Sequence, residues 1–136
     1  MDNKIKIFEK GEKVLREKAK EVPVQEIKNK KFQEIIQKME QAISENEEAV
    51  AVAAPQIGES WRMFAISEWV KHMETQKEKK EFKNIIFINP KIIKTSQRRK
   101  SMQEGCLSTP SLFGTTKRAE KIRVETFDKN GKKLIL

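Results

Sequence analysis

Glu104-Gly105-Cys106-Leu107-Ser108 sets the only cysteine of the chain between a glycine and a short polar turn. Cysteine is among the most buried residue types, so Cys106 taken alone reads as an ordinary core thiol. Its neighbours open a second reading. Gly105 lets the backbone approach a ligand closely. A thiolate held beside it could serve as a metal ligand, and the Leu107 N–H could point at a developing oxyanion. Upstream stands another compact block, Ala53-Ala54-Pro55-Gln56-Ile57-Gly58, in which Gln56 by itself is a turn residue after a proline. The single histidine, His72, has Glu68 and Gln76 four residues to either side. It therefore lacks the i, i+4 partner of a helical metal site and reads as a solvated surface side chain.

A chain of 136 residues suffices for one domain around one core. Apolar residues make up 37% and charged residues 36%, so that core must be economical and the surface dense in charge. No stretch approaches the roughly 18 consecutive apolar residues of a membrane span. The start, Met1-Asp2-Asn3-Lys4, has no apolar run of the secretory kind. A lone cysteine forms no internal disulfide, which fits a reducing compartment, and the expectation is a cytoplasmic protein. The net charge of +9 comes mostly from lysine mixed with glutamate, as in Lys77-Glu78-Lys79-Lys80-Glu81. A solubilising surface explains it more simply than a nucleic-acid site, since no RNA-binding motif accompanies the lysines and tyrosine is absent. A generic attraction to ribosomal RNA stays open.

The elements that must position these blocks follow from hydrophobic period. Residues 4 to 24 form a basic entry segment with a short apolar start at Ile5, Ile7 and Phe8. From about Gln25 to Asn46 the residues Ile27, Phe32, Ile35, Ile36, Met39 and Ile43 recur at three- and four-residue steps, which predicts a helix with one buried stripe. Ala49 to Ile57 is small and apolar, and Pro55 stops a helix from running through it. Trp61 to Ser67 alternates as a strand. The charged stretch from Glu68 to Lys83 is expected to be a surface helix or an inserted loop. Ile85-Ile86-Phe87-Ile88 is a buried strand that Asn89-Pro90 should end, with Ile92-Ile93 starting another. Gln97 to Lys100 is a basic turn. Apolar Ile122, Val124 and Phe127 mark a strand that turns at Asp128-Lys129-Asn130-Gly131 and returns through Leu134-Ile135-Leu136. No repeat, low-complexity tract or linker stands out. The expected architecture is a single α+β domain over residues 1–136, antiparallel strands packed around an early amphipathic helix.

The two blocks together resemble two of the three signature motifs of peptide deformylases, metal hydrolases that remove the formyl group from nascent N-formylmethionyl peptides. The resemblance extends along the chain in order. Val14-Leu15-Arg16 is similar to the family's N-terminal leucine-arginine pair, and Ile88-Asn89-Pro90 to its strand-ending Ile-Asn-Pro. Arg118-Ala119-Glu120-Lys121, followed by Asp128-Lys129-Asn130-Gly131, resembles its arginine-acid segment and Asp-x-x-Gly turn. The resemblance implies that Gln56 donates from its amide to the formyl oxygen as the tetrahedral intermediate forms, with Leu107 N–H a further donor. Cys106 would be a metal ligand, and the backbone at Ala51 and Gly105 would meet the peptide.

Two departures accompany it. The family's opening motif, Gly-x-Gly-Leu-Ala-Ala-Pro-Gln, here reads Ala49-Val50-Ala51-Val52-Ala53-Ala54-Pro55-Gln56, with alanine at both glycines. Ala51 keeps the N–H and C=O that pair with peptide, provided its φ is negative. The third motif, His-Glu-x-x-His, should follow the cysteine by some forty residues, and the sequence reaches Leu136 without it. In the family its two histidines and the cysteine hold Fe2+ or Zn2+, and its glutamate moves a proton from bound water. One thiolate is too little to hold a divalent ion in catalytic geometry. The expectation is therefore a C-terminally truncated deformylase-like chain, its metal-binding helix missing, with substoichiometric metal and no hydrolysis of its own. Two further readings are carried: a non-catalytic deformylase-like module that binds peptides or the ribosome, and a small basic RNA-associated protein whose cysteine is structural.

Overall fold

A computed structural model describes residues 4–72, 78–79, 82–106 and 108–136 of the chain. Its α-helix, α1 (Lys30–Glu45), buries Phe32, Ile35, Ile36, Met39, Ala42 and Ile43 on one face. All of these except Ala42 are positions that the three- and four-residue spacing selects. The start differs from the expected Gln25. Val24–Glu26 is a 3-10 turn, and Asn29 holds an extended backbone (φ −65°, ψ 150°) ahead of the helix. Ile27 is nonetheless fully buried, so its apolar period reflects the core and not the helix. The Gln33 amide donates to the Ile27 carbonyl at 2.8 Å, satisfying backbone that the late start leaves outside the helix.

Among the described residues seven strands follow: β1 (Ala51–Ala53), β2 (Met63–Ser67), β3 (Asn84–Thr95), β4 (Arg99–Cys106), β5 (Thr109–Ala119), β6 (Ile122–Phe127) and β7 (Lys133–Ile135). Five of them make an antiparallel sheet in the order β1-β2-β3-β6-β7, while β4 and β5 pair only with each other as a two-stranded ribbon. This is the α+β architecture that the patterning predicts. Helix α1 lies against β1, β2 and the turn after β1. Met63, Ala65, Ile86 and Ile88 meet its apolar stripe in one core. Phe64 and Phe87, directly opposed across β2 and β3, stack at 4.5 Å between ring centroids.

Asn89-Pro90 does not end a strand. β3 runs through it for 12 residues, with the register shifting between Ile88 and Lys91. A proline removes one ladder donor, and a bulge is where a sheet tolerates that. Asn89 makes the bulge possible. Its φ of 52° is the one positive value among the described non-glycine residues, and asparagine visits this region more readily than most. Its carboxamide then takes both main-chain groups of buried Val22, accepting from N–H at 2.7 Å and donating to C=O at 2.8 Å.

The charged segment begins as a short 3-10 helix, Glu68–His72; the expectation for 73–77 and 80–81 lies outside the described residues. Lys79 reaches back to the end of α1. Its ammonium donates to the carbonyls of Ile43 (2.5 Å), Asn46 (2.7 Å) and Ala49 (3.0 Å). A cation there complements the negative end of the helix dipole. Burial holds this ammonium below the usual lysine value, opposed by the Glu47 carboxylate.

The turn at 128–131 forms as expected. Asp128 Oδ1 accepts from the Asn130 and Lys132 N–H groups, both at 2.9 Å, and Gly131 takes φ 84°.

Replacing Asn89 by alanine removes both partners of the Val22 backbone and keeps a strained φ. We expect a loss of about 2–4 kcal/mol in urea unfolding with an unchanged slope. A loss below about 0.5 kcal/mol would show that water replaces the carboxamide without penalty.

Candidate active site

Three short pieces of chain build the site: the end of β1 with the turn after it, the tip of the β4–β5 ribbon, and the entry segment that touches both. Pro55 is the second residue of the 3-10 turn Ala54–Ile57, its fixed φ suiting the first turn of a helix, and Gly58 ends it in the left-handed region at φ 86°. Gly58 is required twice. A side chain there would be strained, and a Cβ would lie 2.7 Å from the Phe8 ring. Phe8 also donates its N–H to the Gln56 carbonyl at 2.7 Å. Two residues on, Lys10 N–H donates to the Ser108 carbonyl at 2.7 Å. The extended entry segment thus ties the Gln56 turn to the Cys106 block.

Within this frame the Gln56 side chain is fixed at both ends of its amide. Oε1 accepts from Ala53 N–H at 2.8 Å. Because that partner is a donor, the oxygen must face it and the nitrogen must face the other way. Nε2 then lies 3.2 Å from Cys106 Sγ and 3.2 Å from Ser108 Oγ. Gln56 is half-buried, Ser108 is buried at 5% exposure, and Cys106 is exposed. A neutral donor aimed at an exposed sulfur is equally able to donate to an oxygen arriving there.

The structure therefore brings Gln56 and Cys106 together across fifty residues of sequence. Gly105 sits next to Cys106 in β4, paired with Phe113, and the register shifts between the two. Leu107 lies outside the described residues. Ala51 sits on β1, the edge strand of the sheet, opposite Ile66. Its φ is not positive, so alanine fits this backbone without the strain that a left-handed position would impose. Val50 C=O accepts from Ser67 N–H on the β2 side. Strand alternation then turns the N–H and C=O of Ala51 toward the open edge. Sequence reasoning missed Ser108, whose hydroxyl stands two residues after the cysteine inside the same block. It missed the Phe8–Lys10 tie as well, because backbone donors leave no mark on residue type.

The chain has one cysteine and one histidine. No group of three His, Cys, Asp or Glu able to hold an ion occurs among the described residues.

The sequence profile of polypeptide deformylases matches residues 4–136. The chain belongs to the peptide deformylase family. It is 31% identical over 126 residues to peptide deformylase 2 of Clostridium acetobutylicum, covering 92% of this chain and 73% of that one. Against chloroplastic peptide deformylase 1A of Solanum lycopersicum it is 30% identical over 133 residues, covering 93% of this chain but only 48% of the relative. The crystal structure of a probable peptide deformylase from a synechococcus phage superposes with a TM-score of 0.80 at 28% identity, over 97% of this chain and 82% of that one. The fold is thus the deformylase fold, and the family removes formyl groups from nascent peptides in a metal-dependent reaction. No helix among the described residues of this deformylase-family chain is long and apolar enough to cross a membrane.

Changing Gln56 to glutamate keeps an oxygen for Ala53 N–H but turns the donor facing the sulfur into a carboxylate oxygen. Alkylation of Cys106 by iodoacetamide should slow by about tenfold, since a carboxylate in place of the donor at 3.2 Å repels the negative charge of the attacking sulfur. An unchanged rate would show that the amide does not act on the sulfur.

Proposed function

We propose that these residues form the substrate-side half of a deformylase site, one that receives the N-formylmethionyl end of a nascent peptide in the cytoplasm. The observation that carries the reading is the Gln56 amide, pinned through its oxygen and directed at Cys106 Sγ from 3.2 Å. A formyl oxygen placed beside the sulfur would meet a donor already oriented, with no reorganisation as negative charge develops. One such donor is typically worth about 2.7–4 kcal/mol in the transition state. The Leu107 N–H is the second donor in this reading. Ala51, with its main-chain groups toward the open edge of β1, pairs with the peptide as an added strand, and Gly105 leaves room for it.

Cys106 supplies one thiolate ligand for the family's iron or zinc. The other ligands and the proton-shuttling carboxylate are not found among these residues, so no step through the ion is assigned to them. The residues 1–136 act as one domain that binds the formylated end and does not turn it over alone. A non-catalytic role in binding peptide or ribosome follows from the same incomplete ligand set, and turnover measurements separate the two readings from an active enzyme.

Calorimetry of the purified chain with N-formyl-Met-Ala-Ser, with and without added zinc, tests the proposal alongside metal analysis. We expect formyl-dependent binding, substoichiometric metal and no released formate. Absence of any preference for the formylated peptide would sink the substrate-side reading. Stoichiometric metal with turnover would overturn the assigned inactivity.

A further inference from the structure

We propose that Ser108 is the positioning residue for the Gln56 carboxamide, holding one of its two amide hydrogens so that the other is presented on the exposed side of the site. The proposal deepens the reading of Gln56 as the donor to a formyl oxygen and rests on it for its functional meaning.

A carboxamide has one acceptor oxygen and two donor hydrogens. In Gln56 the oxygen is taken by Ala53 N–H at 2.8 Å. The two hydrogens then face Ser108 Oγ and Cys106 Sγ, each at 3.2 Å from the nitrogen. These two acceptors differ in kind. Ser108 is 5% exposed, so water competes little for its hydroxyl, and oxygen is the stronger acceptor. Cys106 is exposed, and sulfur accepts weakly. One bond is therefore built to persist and the other to be exchanged. A carbonyl oxygen arriving on the exposed side is a better partner than sulfur and takes the second hydrogen at little cost, while Ser108 keeps the amide plane from turning to follow it.

The separation of the two side chains is set by main chain on both sides. Phe8 N–H holds the Gln56 carbonyl and Lys10 N–H holds the Ser108 carbonyl, each at 2.7 Å. Both donors lie on one short stretch of backbone, so a single segment ties both blocks. The Ser108 hydroxyl thus meets Gln56 at a distance that neither side chain chooses freely. A hydroxyl that only satisfied itself in the core would need no such tie.

Hydrogen exchange of the Gln56 side-chain amide, followed by NMR in the isotope-labelled chain and assigned by its loss in Gln56→Glu, tests this directly. In Ser108→Ala we expect exchange with water about fivefold faster than in the parent, the worth of one neutral hydrogen bond. Ser108→Thr, which keeps the hydroxyl, should retain the parental rate. The Phe8 and Lys10 backbone amides should not change in either variant, which separates positioning from general loosening. Parental exchange in Ser108→Ala would overturn the proposal. Should that variant not fold, Ser108→Cys keeps the volume with a weak acceptor, and parental exchange there overturns it equally. A second arm compares affinity for N-formyl-Met-Ala-Ser with that for Met-Ala-Ser. Positioning predicts that the formyl preference falls in Ser108→Ala toward that of Gln56→Glu. If the parent chain shows no formyl preference, the reading of Gln56 as substrate donor fails, and the exchange result alone decides whether Ser108 orients the amide.

Discussion

The hydrogen bond from Ala53 N–H into Gln56 Oε1 decides which way the site faces. A glutamine amide is nearly symmetric in shape and opposite in chemistry at its two ends. Rotated by half a turn, it would set N–H against N–H at Ala53 and present an oxygen to the sulfur and the hydroxyl. The backbone forbids that arrangement, because a half-buried donor facing a donor leaves both without acceptors. The local chain geometry follows from this requirement. Pro55 fixes φ at the second residue of the turn, Gly58 ends it, and the Phe8 ring occupies the space that a side chain at 58 would fill. The two residues between Ala53 and Gln56 bring an outward-facing strand N–H within reach of a downstream side chain.

How much of this could be read from residues alone depended on range in sequence. The stripe of α1 was legible because its contacts repeat every three or four residues and every member is apolar. The turn at Asp128 to Gly131 was legible because its aspartate bonds backbone two and four residues on. Asn89-Pro90 misled because proline usually closes a strand. What the dipeptide alone does not show is that Val22, 67 residues away, rewards the asparagine for a left-handed backbone. The cap that Lys79 sets on α1 was hidden in a run of like lysines, any of which fits the composition equally well. The meeting of Gln56 with Cys106 came from family resemblance, and no periodicity or spacing in the chain encodes it.

The two alanines that replace the family's glycines acquire a physical meaning in the structure. Ala49 is buried at 4% exposure, and its carbonyl takes a hydrogen bond from Lys79. Ala51 faces out on the edge strand with ordinary extended backbone. Neither position demands the conformational freedom of glycine, so the added methyl groups favour the folded strand by narrowing what the unfolded chain can explore. The charged segment and the candidate site are joined through this strand: Lys79 anchors Ala49, and four residues later Ala53 anchors Gln56.

Among the described residues the ribbon of β4 and β5 is a sheet of its own, and it carries Cys106 at its tip. Lys10 N–H and the Gln56 amide join that tip to the rest of the site through Ser108 and the sulfur. The donor and the sulfur therefore stand on two different ladders, and the distance between them depends on the bonds that join those ladders as well as on the pairing within each.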